Sequence, residues 1–192
     1  DATQTFNIAA VNDAPEANDA TVDTDEDTAI INGTLPSYTD VEGDAVTYSK
    51  ASDPTNGSVI INDDGTYTYT PNDNYSGSDS FDYTIDDGNG GTNTYTITVN
   101  VAEINDAPEA NDASVDTDED TAIISGTLPS YTDVEGDTVT YSKASDPTNG
   151  SVIIHDDGTY TYTPNDNYSG SDSFDYTIDD EIGRAHVWTP VT

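Results

Sequence analysis

The chain has no cysteine and no methionine, one tryptophan, two histidines and only three Lys plus Arg among 192 residues. Without cysteine, neither a disulfide nor a thiolate metal site is available. Against the three cations stand 39 Asp plus Glu, a formal charge of -36. A chain so charged is repelled by nucleic acid and by anionic membrane surfaces, so nucleic-acid binding is excluded. No apolar run approaches the ~20 residues that span a bilayer, so direct membrane insertion is not expected. No signal peptide is visible either, but the chain opens inside a repeat, so that says nothing about secretion. The histidines also limit catalysis. His155 stands where the first copy of the repeat has Asn62, and His186 lies in a divergent tail, so a Ser-His-Asp arrangement shared by the repeats cannot exist. A glycosidase-type carboxylate pair needs a cleft framed by longer loops than these. No enzymatic activity is expected.

What the chain does have is duplication. Residues 13 to 87 recur as residues 106 to 180, shifted by 93, with four changes: Thr21, Asn32, Ala45 and Asn62 stand against Ser114, Ser125, Thr138 and His155. A period this long means a whole small domain copied in series, since a solenoid repeat is shorter. Residues 6 to 12 (FNIAAVN) align at the same offset with residues 99 to 105 (VNVAEIN), so residues 1 to 12 read as the end of a preceding repeat. Residues 13 to 105 make one complete unit, and residues 106 to 180 a second that stops matching before its last strand. Residues 181 to 192 look foreign. Ile182 to Thr192 resembles a translated sequencing adapter with a stop codon read as Trp188, which implies that Arg184, His186 and Trp188 carry no biology.

Disordered acidic chains are poor in aromatic and β-branched residues. This one has 13 Tyr and strict alternations such as Phe81, Tyr83, Ile85 and Tyr95, Ile97, Val99, Val101, the period of half-buried strands. Strand-like runs fall at 20 to 24, 28 to 35, 45 to 51, 57 to 62, 66 to 70, 79 to 86 and 92 to 102, with Asp63, Asp64 and Gly65 closing a hairpin. No stretch has helical periodicity. The expected fold is all-β: tandem seven-stranded antiparallel Ig-like β-sandwiches. The inward set is Val22, Ile30, Leu35, Val46, Tyr48, Val59, Ile61, Tyr67, Tyr69, Phe81, Tyr83, Ile85, Tyr95, Ile97, Val99 and Val101. That core is thin, and a small domain without disulfides commonly needs a metal or a neighbour.

The unit 13 to 105 holds 19 acidic residues and one Lys. Two carboxylates about 4 Å apart repel by about 4 kcal/mol at an effective dielectric near 20, so clusters such as Asp23, Asp25, Glu26, Asp27 and Asp40, Glu42, Asp44 burden a metal-free fold. A divalent cation removes the burden. Calcium suits best, because it takes six to eight oxygen ligands in flexible geometry. EF-hand geometry fails, since Thr28 stands where Gly is required and Thr34 where the bidentate Glu belongs.

Glu26 after the first strand, Asp40-Val-Glu42-Gly-Asp44 before the third, Asp86-Asp87-Gly88 after Phe81 to Ile85, and Glu103-Ile-Asn105-Asp106-Ala-Pro108 at the junction resemble the cadherin set. More closely, GTYTYTPNDNYSGSDSFDYTIDDGNGG is similar to bacterial cadherin-like, VCBS-type repeats of very large secreted or surface adhesins, which often end in calcium-binding RTX segments. The resemblance covers nearly all of residues 6 to 180 and implies calcium ions and neighbouring repeats as partners, an extracellular or cell-surface location, and glycan or matrix contacts made through other domains. It also implies a junction cluster drawn from Glu26, Glu103, Asn105 and Asp106 with Asp133, Glu135 and Asp180, and it marks Asp40, Glu42, Asp86 and Asp87 as further metal ligands. At the preceding junction Glu103 is replaced by Ala10, which implies fewer ions. The acidic partner usual before the sixth strand is either Asp73 or Asp79. The rival reading is a carbohydrate- or receptor-binding module acting by avidity, with ligand held on loops through Tyr38 or Tyr75.

Overall fold

The computed structural model describes residues 2–9, 11–180 and 187–191, and its contacts divide into two units, Asp1–Ile104 and Asn105–Thr192. The first unit carries seven strands: β1 (Ala20–Asp25), β2 (Ile30–Thr34), β3 (Thr47–Lys50), β4 (Gly57–Ile61), β5 (Thr66–Pro71), β6 (Gly77–Asp86) and β7 (Thr92–Ala102). Each expected run is there to within a few residues. They form two facing sheets, β1-β7-β6-β3 and β2-β5-β4. All pairings are antiparallel except one: β1 runs parallel to β7, from Ala20 opposite Ile97 to Asp25 opposite Ala102. The β4–β5 hairpin closes as its residues demand, with Gly65 at φ 82° and the Asp64 carboxylate accepting from the Thr66 amide at 2.9 Å.

The core lies between the sheets because the strands alternate inward and outward. Leu35, Tyr48, Val59, Tyr67, Tyr69, Phe81, Tyr83, Ile85, Ile97, Val99 and Val101 are buried, and Val22, Ile30, Val46, Ile61 and Tyr95 pack against them half-buried. Every member of the expected inward set is therefore in the core. Phe81 is sandwiched by Tyr67 and Tyr69, with ring centroids 5.5 and 6.2 Å away. Gly33 lies against the Tyr67 ring, leaving no room for a side chain.

The second unit repeats this plan with β8 (Glu109–Ala110), β9 (Ile123–Thr127), β10 (Tyr131–Thr132), β11 (Thr140–Lys143), β12 (Gly150–Ile154), β13 (Thr159–Pro164), β14 (Phe174–Asp179) and β15 (Val187–Val191). The sequence leads one to expect this copy to stop before its last strand, but β15 lies antiparallel along β14, with Ile178 opposite Val187 and Phe174 opposite Val191. Of the tail expected to be foreign, residues 181–186 and 192 lie outside the described residues. One difference between the copies is large. Ala113–Asp118, the counterpart of β1, forms no strand and is exposed. In the first unit that segment is held by β7 from Ile97 to Ala102; β15 ends opposite Phe174, the counterpart of the Phe81 that Ile97 faces, so among the described residues Ala113–Asp118 has no ladder to join. Among the described residues, no helix is long and apolar enough to cross a membrane.

Candidate metal centre

Each unit gathers carboxylates at the pole where its chain enters. The loop after Thr39 turns back through Gly43, whose φ of 80° reverses the chain between Asp40 and Asp44. Asp40 Oδ1 accepts from the amides of Glu42 (3.1 Å) and Asp44 (2.8 Å). Its other oxygen, Oδ2, is buried with no hydrogen-bond partner. Asp87, at the end of β6, is buried and accepts from the Asn12 side-chain amide at 2.7 Å and from the amides of Asn89 and Gly91. The Asn12 amide beside Asp87 holds its carboxyl below the usual carboxylate range, with the loop amides adding to the effect. The Asp13 amide donates to Glu42 at 3.2 Å, and Asn89 links Asp87 to Asp44, its backbone amide donating to the first and its side-chain amide to the second.

The second unit builds the same pole. Asn105 donates to Asp180 at 2.8 Å and the Asp106 amide to Glu135 at 3.2 Å, matching Asn12 with Asp87 and Asp13 with Glu42. The Asp137 amide donates to Asp133 Oδ1 at 2.7 Å. Asp133, Glu135 and Asp137, all half-buried, each offer one oxygen within 4.8 Å of the others. Two buried oxygens here have no hydrogen-bond partner, Asp133 Oδ2 and Asn105 Oδ1. Burial raises the pKa of Asp137, and the negative charges of Asp133, Asp180 and Glu135 raise it further. Like charges crowded around buried, unpartnered oxygens are disfavoured without a cation. Pro15 and Pro108, fully buried, seat the segments that bring Asn12 and Asn105 to these poles.

The expected ligands thus fall into separate groups. Asp40, Glu42 and Asp87 meet at the entry pole of the first unit, and Asn105, Asp106, Asp133, Glu135 and Asp180 at that of the second. Asp86 stands beside its group at the end of β6, with Oδ1 accepting from the Gly88 amide. Glu26 is at the other end of the first unit: it is buried, and its carboxylate accepts from the Ile104 amide while its own amide donates to Ala102. The 11 residues of β7 separate the two ends by roughly 35 Å, so Glu26 and Asp87 of one unit cannot share an ion. Glu103 is exposed beside Glu26's end of β7. Ala10 lies outside the described residues.

Four members of the poles were not among the expected ligands: Asn12, Asp13, Asp44 and Asp137. Applying the offset of 93 to Asn105 and Asp106 finds the first two; Asp44 stands in the acidic run with Asp40 and Glu42, and the same offset carries it to Asp137. Between Asp73 and Asp79, the structure separates the roles. Asp73 is exposed, whereas Asp79 is buried within the sandwich and accepts from Thr55 and Asn56 amides (3.0 Å each), the Tyr69 hydroxyl (3.0 Å) and the Ser80 amide (2.9 Å). Its oxygens are occupied by protein donors, so it anchors the loop before β4. Tyr38 and Tyr75 are half-buried against the core, the first edge-on to Tyr48 and the second donating to the Ser78 carbonyl. Lys50 pairs with Asp53 at the surface.

The profile of the bacterial cadherin-like domain matches residues 12–103 and again 105–192. Among solved structures, the chain is similar to a mouse cadherin-23 fragment, EC22-24, at 20% identity and a TM-score of 0.60 over 94% of this chain and 62% of that one. A human protocadherin-24 fragment, EC1-2, is 14% identical with a TM-score of 0.60, covering 95% of this chain and 94% of that one. The chain spans only 28% of the length of an endo-fucoidan hydrolase from glycoside hydrolase family 107, at 20% identity over 93% of this chain and a TM-score of 0.39, a likeness that carries no argument. No curated protein sequence matches.

Proposed function

Because the chain belongs to the bacterial cadherin-like domain family, we propose that it is a run of calcium-stiffened spacer repeats, without catalysis, in a VCBS-type bacterial adhesin that works outside the cell. The observation that carries this reading is the duplicated entry pole, with an unpartnered buried Oδ2 on Asp40 in one unit and on Asp133 in the other. In the first unit Asp40, Glu42, Asp44 and Asp87 would hold an ion; in the second Asp133, Glu135, Asp137, Asp180 and the Asn105 carbonyl oxygen would. Bound calcium supplies positive charge and accepts several oxygens in flexible geometry, which suits a mixed carboxylate and amide set. Asn12, Asp13, Asn105 and Asp106 are linker residues already hydrogen-bonded to these carboxylates, so an ion there locks the segment that enters each repeat. Glu26 and Glu103 are the residues through which a preceding repeat would join the set. The mechanical result is reach: a chain that bends at its linkers without calcium and is held straight with it.

Extracellular calcium modules bind with dissociation constants of ~0.1 to 1 mM. At about 1 mM free calcium each site then contributes roughly 0.4 to 1.4 kcal/mol. For a domain of this size 1 kcal/mol moves the melting temperature by about 4 to 8 °C. Thermal melts in millimolar calcium and in EDTA, with titration calorimetry alongside, test the reading. A clear calcium-dependent rise with saturable heat is expected, and the rise should shrink in the D133N/D137N variant. Superimposable melts together with a flat titration would end the proposal.

A further inference from the structure

Four Asn-Gly pairs occur in the chain, at Asn32, Asn56, Asn89 and Asn149. An asparagine before glycine can close on itself, because no side chain shields the amide nitrogen that follows. Closure swings that nitrogen onto the carbonyl carbon of the Asn side chain, a rotation that a strand ladder forbids. Three of the pairs are held in this way. Asn32 and Gly33 lie within β2, with Gly33 opposite Tyr67 and pressed against its ring. The Asn56 amide donates to Asp79 at 3.0 Å, its carbonyl accepts from the Asn72 amide at 2.8 Å, and Gly57 opens β4 opposite Pro71. Asn149 and Gly150 repeat this arrangement with Asp172, Asn165 and Pro164.

Asn89 is placed differently. It and Gly90 are exposed in the loop between β6 and β7, and the flanking Gly88 and Gly90 take φ of 73° and 104° with open space where a side chain would project. Its backbone amide donates to Asp87 at 2.7 Å and its side-chain amide to Asp44 at 2.8 Å. The Gly90 amide faces the same Asp87 carboxylate, an acceptor at hand for the proton that closure displaces. We propose that Asn89 is a self-modification site, where the chain converts a neutral amide of the first entry pole into a carboxylate. The Gly90 nitrogen attacks Cγ of Asn89; the N–Cγ bond forms as Cγ–Nδ2 breaks, and Nδ2 leaves with the Gly90 proton as ammonia. Water then opens the succinimide at either carbonyl, giving aspartate, or isoaspartate in which the main chain runs through Cγ. No oxidant or reductant takes part. Either product replaces the donor to Asp44 with a carboxylate, so attraction becomes repulsion. Isoaspartate also lengthens the chain between the Asn89 and Gly91 amides that both reach Asp87, so the turn opens. The modification does not rest on the calcium reading, although it falls on a pole to which that reading assigns an ion.

Incubation at mildly alkaline pH in EDTA, followed by peptide mapping with mass spectrometry, tests this. Asn89 should convert at least about tenfold faster than Asn32, Asn56 or Asn149, since those must first leave their ladders and an opening of 1.4 kcal/mol is already about tenfold. In urea that unfolds the chain, all four should convert at similar rates. The Gly91 amide should exchange about tenfold or more faster in aged than in fresh protein, and ageing should not alter its exchange in Asn89→Gln. Conversion at Asn89 no faster than at the other three, a preference for Asn89 that survives in urea, or Gly91 exchange unchanged by ageing would each overturn the proposal. All of these readings are made without calcium, so their failure is distinct from that of the melts and titrations that test the ion.

Discussion

The internal carboxylate of each repeat offers a controlled comparison, because the same bonds are made in two different surroundings. Asp79 and Asp172 accept from equivalent donors at nearly equal distances: two loop amides at 3.0 Å, a tyrosine hydroxyl at 3.0 and 2.9 Å, and the following amide at 2.9 and 3.1 Å. Asp79 is buried and its partner Tyr69 fully so, whereas Asp172 lines an open groove and is half-buried. In Asp79→Ala the Tyr69 hydroxyl and the loop amides lose their acceptor away from water, at a cost of about 3 to 5 kcal/mol. In Asp172→Ala water takes over as acceptor, and the cost falls to about 1 kcal/mol. Hydrogen exchange of the loop amides reads these costs directly, since every 1.4 kcal/mol is about tenfold in the opening equilibrium. Asp79→Ala should therefore speed exchange at Thr55 and Asn56 by about 2 to 3.5 orders of magnitude, and Asp172→Ala by about tenfold or less at Thr148 and Asn149. The copies can be told apart by mass, because peptides reaching Asn62 in one include His155 in the other. Equal acceleration in the two copies would show that burial does not set the strength of this network.

Further outcomes follow from the tyrosines, the turns and the lone cations. Burial raises the pKa of Tyr48, Tyr67, Tyr69, Tyr83, Tyr141, Tyr160 and Tyr162, pushing Tyr83 and Tyr162 up to about 12. Their stabilisation is complete below the unfolded value near 10 and disappears as pH rises from there through the folded values. Unfolding should therefore set in between about pH 10 and 12, and tyrosinate absorbance should rise together with loss of β-sheet circular dichroism; ionisation well before unfolding would contradict this. Gly33→Ala puts a Cβ 2.4 Å from the Tyr67 ring and should cost about 1 to 3 kcal/mol in urea unfolding. Ser125 sits at φ 61° where the first copy has Asn32 at φ 56°, so Ser125→Asn should stabilise the second unit by about 0.5 to 1 kcal/mol in the same assay. Lys50→Met should leave stability within about 0.5 kcal/mol, because its pair with Asp53 is at the surface.

Much of this molecule is written in local pattern. The offset of 93 and the alternation of Phe81, Tyr83 and Ile85 are enough to place the seven strands and to name the core, because a side chain's face on a strand depends only on its parity. The gathering of acidic loops at one pole was legible for a similar reason, since Asp40, Glu42 and Asp87 are close to strand ends wherever the strands go. Asp44 stands in the same acidic run, and the offset carries it to Asp137, but that each amide turns back to the carboxylate of Asp40 or Asp133 is decided by the turn at Gly43 and Gly136. In the sequence Asp79 and Asp73 are equal candidates for the acidic partner before the sixth strand; only the structure puts four donors around Asp79. The plainest case is Ala20–Asp25 against Ala113–Asp118, six residues alike except for Thr21 and Ser114, one a strand and the other not. Which side chains face inward is decided by the residues themselves, but an edge strand exists only where another backbone supplies its hydrogen bonds. That partner comes from residues some 75 positions away, beyond the reach of any local pattern.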